Sequence, residues 1–397
     1  MGRFKEMMLE QEERGAFTSF DGNECVCSKH FEDVYLKEYV NQNSCIGTCS
    51  YCGEKDVPVI DMNTFMSFVT SKLSDRFLPL DDGNLPLASS YFDDEEDVVP
   101  GIRRIGCYAA PEKAEQYENI YYLLKKYHLI TENDNLNSDI QSCFHSDYYI
   151  KNDAFELDLD ENLSYAWNYF KDMVKYKKRY TFFQDAFFVP SNSSEDDILT
   201  EIKGLCETVL LTVLKKGEIL YRCRPDYKGN VFNTFQDLTS APKEFAKSNR
   251  MSAEGISIFY GAFDESTTIK EVGNYTNATN LSIGEFVIKK DLTVVDLFKV
   301  PEVLTFWMKG FYQEYKFLKQ FHNEITQPIR GNSNIEYIPT QVFVEYLRYL
   351  KGSKQIDGII YQSAVTGGKN IVLFYDNITS SEVLSLANAK SIVIKEE

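Results

Sequence analysis

Leu220-Tyr221-Arg222-Cys223-Arg224, Thr239-Ser240-Ala241-Pro242, Arg250-Met251-Ser252, Gly255-Ile256, Phe259-Tyr260-Gly261-Ala262 and Thr267-Thr268-Ile269-Lys270-Glu271 follow one another between positions 220 and 271. A second block holds Tyr337-Ile338-Pro339-Thr340-Gln341, Asp357-Gly358-Ile359-Ile360-Tyr361-Gln362-Ser363 and Gly367-Gly368-Lys369-Asn370-Ile371-Val372-Leu373-Phe374. Short β-rich runs at 218–223, 256–262, 286–289, 358–363, 370–375 and 391–395 predict strands. Helices are expected to begin at Ser266, Pro301, Thr340 and Ser380. Short strands with few intervening helices predict an α+β fold, not a doubly wound sheet. No GxGxxG follows a strand, so a dinucleotide-binding crossover has no support.

Across the whole chain, 397 residues suggest two or three domains, and 43% hydrophobic with 14% aromatic content suffices for packed cores. The net charge of -18 argues against broad binding to nucleic acid, which needs clustered Lys and Arg. No apolar run approaches the ~20 residues of a membrane span. The first residues are charged and lack a signal-peptide core, and Glu6 stands where myristoylation requires Ser or Thr. A cytoplasmic location without membrane attachment is the expectation.

Five of nine cysteines fall between Cys25 and Cys52. Cys27-x-x-His30 and Cys49-x-x-Cys52 have the spacing of a tetrahedral zinc knuckle, with Gly53 for the tight turn. Four protein ligands leave no open position, so the expected zinc is structural. Cys25 and Cys45 are spare or alternative ligands. The plainer reading is a cluster of reduced thiols.

Residues 60 to about 190 read as mostly helical. Apolar spacing predicts a helix over 62–80, and another after Pro111 with Tyr117, Ile120, Tyr121 and Leu124 on one face. A third spans 162–180, with Tyr165, Trp167, Tyr169, Phe170, Met173 and Val174 as core rather than a base-stacking platform. The acidic run 93–97 reads as a solvated loop, and 190–194 as a linker. Ser194 caps a helix whose core face runs through Ile198, Ile202, Cys206, Val209 and Val213.

The ordered blocks from 220 to 374 resemble the RES domain, named for its arginine, glutamate and serine. The segment before them is similar to the HEPN-like domain found ahead of RES domains. The resemblance implies a C-terminal mixed α/β domain with an ADP-ribosyltransferase-like fold, preceded by a small zinc-binding segment and a mostly helical domain. The expected partition is 1–60, 61–190 and 195–397. HEPN ribonucleases use an Arg and a His four to six residues apart. His30, His128, His145 and His322 offer no such pair, so the helical part is expected to be structural or regulatory.

RES proteins are NAD-consuming toxins, and NAD is the implied substrate. Its nicotinamide is already a cationic leaving group. Cleavage needs a carboxylate beside the sugar, an arginine on the pyrophosphate and an aromatic face for the ring. By the resemblance, Arg222, Tyr260, Glu271 and Ser363 are catalytic. Arg224, Arg250, Gln362 and Asn370 bind substrate. Gln362 stands where the family more often has Arg, and Met251-Ser252 replaces a more usual Arg-Xaa-Asn. The implied activity is NAD glycohydrolysis or phosphorolysis in a toxin or bacterial defence setting. ADP-ribosyl transfer to a macromolecule and a non-catalytic nucleotide-binding module are the alternatives. Small RES toxins pair with an antitoxin, so an antitoxin, an immunity protein or self-assembly through the N-terminal part is expected.

Overall fold

The computed structural model describes residues 17–79, 117–151, 158–181, 198–226, 231–274, 276–327, 334–349 and 355–393. The acidic run 93–97, Pro111, the linker 190–194 and the Ser194 cap lie outside them. The chain forms two compact units. One holds the described residues up to Asp158 together with Val303–Tyr312; the other holds Leu159–Glu302 and the described residues from Gln313 on.

The first unit runs β1 (Cys25–Cys27), α1 (Val34–Gln42), β2 (Cys45–Gly47), β3 (Val57–Asp61), α2 (Met62–Ser74), β4 (Phe77–Pro79), β5 (Tyr117–Asn119), α3 (Ile120–Lys126), α4 (Asp134–Ser142) and β6 (Tyr148–Lys151). Two antiparallel three-stranded sheets, β1-β3-β2 and β4-β6-β5, accompany the helices. Each helix starts on a side-chain cap: Asp33, Asp61, Asn119 and Asn133 accept from amides of the first turn. The helix expected over 62–80 stops at Ser74, because Phe77–Pro79 pairs with β6 instead. Tyr121, expected on a core face, is exposed, and its neighbours Leu123 and Leu124 are buried.

Phe31, Phe65, Met66, Leu124 and Tyr149 fill this core, and Phe306 and Trp307 join them from far along the chain. Trp307 donates its Nε1–H to the Tyr127 carbonyl at 2.7 Å. Thr305 reaches Asp33, and Lys72 reaches the Met308 carbonyl. The helix expected from Pro301 is therefore absent. Residues 303–311 are irregular, with Gly310 and Phe311 at positive φ, and α8 (Tyr312–Thr326) starts only after them.

The second unit contains α5 (Leu159–Tyr176), α6 (Ile198–Leu205), β7 (Leu211–Leu214), β8 (Ile219–Asp226), β9 (Phe259–Ala262), α7 (Glu265–Gly273), β10 (Asn280–Ile288), β11 (Leu292–Asp296), α8, α9 (Ile338–Tyr349), β12 (Gly358–Gln362), β13 (Lys369–Leu373) and β14 (Leu384–Val393). Its mixed sheet has the order β14-β10-β8-β9-β13-β12-β11-β7, with β11 and β12 the one parallel pair. A single residue pair, Tyr221 with Ala262, joins β8 to β9. The sheet is thus nearly split between its third and fourth strands.

One sheet face packs Val295, Ile359 and Val372 against Trp167 and Phe170 of α5, Phe317 and Phe321 of α8, and Phe343 of α9. Burying a side chain such as Phe170 contributes about 1.5–3 kcal/mol. Tyr165 and Tyr169, expected in the same stripe, face solvent. The helix from Ile198 gives way through a π turn at Cys206–Leu210 to β7, so Val213 lies on a strand and is exposed. Helical spacing continued past the point where pairing with β11 takes over.

Candidate functional site

Cys27 ends β1, His30 closes a 3-10 turn, and Cys49 and Cys52 sit on the turn after β2. Their ligand atoms all lie within 4.8 Å of one another. Cys27 Sγ is 3.8 Å from Cys52 Sγ, and Cys49 Sγ is 3.4 Å from His30 Nε2. A tetrahedral ion with metal–sulfur bonds of about 2.3 Å needs sulfurs about 3.8 Å apart. The four donors therefore fit one metal ion. Gly53, at φ +72°, lets its amide turn back to the Cys49 carbonyl at 2.9 Å. Burial raises the Cys49 thiol, but the amides of Cys52, Tyr51 and Cys27 and the His30 ring outweigh it and lower it to about 6. Cys25 and Cys45 stand outside the cluster.

A cavity of about 520 Å³ lies along α2, between Tyr39, Phe68, Lys72 and Asp75. None of the residues picked out by their chemistry lines it.

The second constellation gathers around Glu271. Asp264 caps α7 by accepting from the Thr267 amide at 2.7 Å, while Ile269 and Val272 pack against Cys223, Leu281 and Ile283. This anchoring points Glu271 toward β13 and the turn after β12. Ser363 Oγ donates to Glu271 Oε1 at 2.5 Å, and Asn370 Nδ2 donates to the same oxygen at 2.8 Å. Ser363 Oγ in turn accepts from the amides of Val365 and Thr366. Glu271 Oε2 has no hydrogen bond among the described residues.

Arg222 lies beside the split in the sheet. Its Nη1 crosses to donate to the Tyr260 carbonyl at 2.9 Å, and its Nε finds no partner among the described residues. Burial first, and then the like charge of Arg224, lowers it to about 10. It stays protonated near neutral pH. Arg224 stacks 3.6 Å over Phe232 and donates to the Asp237 carbonyl. Arg250 donates to the Ile325 carbonyl in the last turn of α8. All three arginines thus donate to main-chain oxygens, and among the described residues none pairs with a carboxylate.

Tyr260 accepts from the Met251 amide at 3.2 Å and lies 3.1 Å from Ser252 Oγ. Burial raises its phenol to about 12, although Ser252, Met251, Arg222 and Arg250 oppose the shift. It is a neutral phenol. The Gln362 side chain is exposed and makes no described contact with Glu271.

Sequence reasoning missed three participants. Gln341 donates to Ser248 Oγ and to the carbonyls of Asn249 and Ser252, clamping the loop that carries Arg250. Tyr361 is buried, and burial followed by the charges of Tyr260 and Glu271 raises its phenol. His322 meets the Gln362 amide. Gln341 and Tyr361 stand in the ordered blocks, where an amide or phenol among apolar residues was the available signal.

One unit is a mixed-sheet α+β fold with a hydrogen-bonded carboxylate and three arginines that, among the described residues, pair with no carboxylate; the other carries a Cys/His cluster. Residues 219–387 match the RES domain, and residues 42–187 match HEPN/RES N-terminal domain 1. The chain carries a RES domain preceded by a HEPN/RES N-terminal domain. No curated protein matches it. The N-terminal match includes α5, which belongs to the second compact unit, and it begins after Cys27 and His30. Among the described residues, no helix is long and apolar enough to cross a membrane.

Proposed function

We propose that the RES unit cleaves the bond between nicotinamide and ribose in NAD, by hydrolysis or by phosphorolysis. The observation that carries this reading is the Glu271 carboxylate. Ser363 and Asn370 both hold Oε1, so Oε2 is left to meet a ribose hydroxyl and the positive charge that develops as the bond lengthens. Arg222, Arg224 and Arg250, which among the described residues pair with no carboxylate, suit a substrate that brings its own phosphates in a chain of net charge -18. Arg222 and Arg224 would hold the pyrophosphate, with Arg250 and Tyr260 on the far side of the split. Gln362 would contribute its exposed side-chain amide in place of the planar fork of the more usual Arg. The ADP-ribosyltransferase-like arrangement belongs to the same reading.

Around this centre, residues 1–60, 61–190 and 195–397 serve as metal knuckle, helical regulator and catalytic domain. The ion is a structural zinc on Cys27, His30, Cys49 and Cys52. Consumption of NAD in the cytoplasm makes the protein a toxin or defence effector, restrained by an antitoxin, an immunity protein or its own N-terminal part. Incubation of the full chain with NAD, with and without inorganic phosphate, tests the chemistry. Free ADP-ribose, ADP-ribose-1''-phosphate and a labelled macromolecule correspond to hydrolysis, phosphorolysis and transfer. NAD that binds and stays intact identifies a non-catalytic module and ends the enzymatic reading.

A further inference from the structure

β11 ends at Asp296, opposite Ile360 of β12. The chain then leaves the sheet through a 3-10 turn, Leu297–Lys299. Two residues further along β12, the Gln362 amide has no strand to bond. Its acceptor here is a side chain: Gln362 N–H donates to His322 Nε2 at 3.4 Å.

This amide stands at the base of the turn that carries Ser363. Gln362 faces Lys369 across the β12–β13 hairpin. Ser363 N–H donates to the Gly368 carbonyl, and Gly367 N–H returns to the Ser363 carbonyl. The turn so closed presents two amides to Ser363 Oγ and leaves its hydroxyl proton for Glu271. Everything that orients the Ser363 hydroxyl begins one residue after the amide that His322 holds.

We propose that His322, as a neutral imidazole accepting at Nε2, is a positioning residue that fixes the base of the 363–368 turn and thereby the Ser363–Glu271 contact. This rests on the reading of Glu271 and Ser363 as reaction-site residues. The surroundings favour the accepting form. The Phe298 and His322 rings meet in a T-shaped arrangement at 6.0 Å between centroids. Among the described residues the charge acting on the ring is Asp296, on β11, which Lys369, on β13, approaches to 3.8 Å. Burial lowers the His322 pKa below the ordinary imidazole value, against an opposing pull from Asp296. A protonated ring has two N–H donors and no acceptor, so it would release the Gln362 amide. The bond is therefore present above the His322 pKa and is lost as pH falls through it.

The test uses the full chain with His322→Gln, which keeps an acceptor and cannot titrate, and His322→Leu, which removes it. Amide exchange of peptides spanning 359–368 should quicken in the Leu variant and stay near wild type in the Gln variant. With NAD as substrate, the Leu variant should lose about tenfold in kcat with little change in KM, as one lost hydrogen bond allows. The wild type should lose kcat on the acidic side. The Gln variant should recover most of kcat and lack that acidic limb. Unchanged exchange in His322→Leu, or an unaltered acidic limb in His322→Gln, overturns the assignment. If His322→Leu fails to fold, the Gln variant's pH profile decides alone. If the wild type leaves NAD intact, the proposed activity fails, and the exchange data still decide the positioning role.

Discussion

The Cys/His cluster and the Glu271 site are built by opposite means. The four candidate ligands come from a stretch bounded by Cys27 and Cys52, on two short turns. The Glu271 site draws on β8, β9, α7, β12 and β13, with Arg222 and Asn370 at its extremes. In the first, four side chains converge on a point whose spacing fits one metal ion, and the main-chain amides and the His30 ring lower the Cys49 thiol to about 6 against the effect of burial. In the second, the carboxylate already has its hydrogen bonds, and only Oε2 and the arginines remain for a ligand. A local site can depend on its ligand for folding, whereas a dispersed site must be held by the fold before any ligand arrives.

Removal of the metal tests that contrast with the largest expected effect. Structural zinc in small knuckles contributes about 10–16 kcal/mol of apparent binding free energy, which is also folding free energy. Chelation, or Cys49→Ser, should abolish amide protection across β1, β2 and β3. Peptides of β12 and β13 should keep theirs. Loss of protection in both regions together would show one folding unit and erase the distinction. Well under one equivalent of zinc in untreated protein would remove the metal from the comparison.

Glu271→Gln probes the preorganised side. It keeps the shape and the bonds at Oε1 but removes the charge that matters as the glycosidic bond opens. Turnover of NAD should fall about a hundredfold or more while calorimetric binding persists. A near wild-type rate would leave the RES match as a statement of fold alone. Arg222→Ala should instead weaken NAD binding by about tenfold or more, since a pyrophosphate carries the same charge before and during reaction. Arg222→Lys should restore only part, because a point charge cannot both span to the Tyr260 carbonyl and fork to a phosphate.

The candidate metal ligands were legible because their chemistry is written in local spacing: CxxH, CxxC and a following glycine. Glu271, Ser363 and Arg222 were legible only as members of an ordered series, since an early-helix glutamate or a strand arginine means little alone. Asn370 was legible too, but its bond to Glu271 depends on the register of β13 against β9 and β12. His322 has no neighbouring nucleophile in the sequence to mark it. Its role comes from the place where β11 stops. β7 and β11 escape sequence reading for different reasons. Val209 and Val213 continue a helical spacing through the π turn, and Leu292–Asp296 is too short to stand out from its flanks. Nothing in residues 303–311 announces that they complete a core formed by much earlier residues.

The smallest expected effect concerns that segment. Trp307→Phe keeps most of the apolar volume and deletes the hydrogen bond to the Tyr127 carbonyl. It should cost about 1 kcal/mol, read as a lowered denaturation midpoint, with unaltered metal content. A loss of metal along with stability would couple the core to the knuckle and sharpen the view of the first unit as one cooperative body.

The borrowed segment also sets a schedule for synthesis. The first unit's contiguous part is complete once Asp158 has left the ribosome, yet its core lacks Phe306 and Trp307 until Tyr312 emerges. At about 5–20 residues per second, the roughly 150 residues in between take about 8–30 s to translate. During that interval the nascent N-terminal half carries an open apolar slot, while β7 to β11 of the second unit are already being made. The slot closes only when the chain has passed β11, so the two halves mature in an overlapping order. On the proposed reading, the first unit cannot finish before much of the mixed sheet exists, so any restraint it exerted would be assembled in step with the proposed activity.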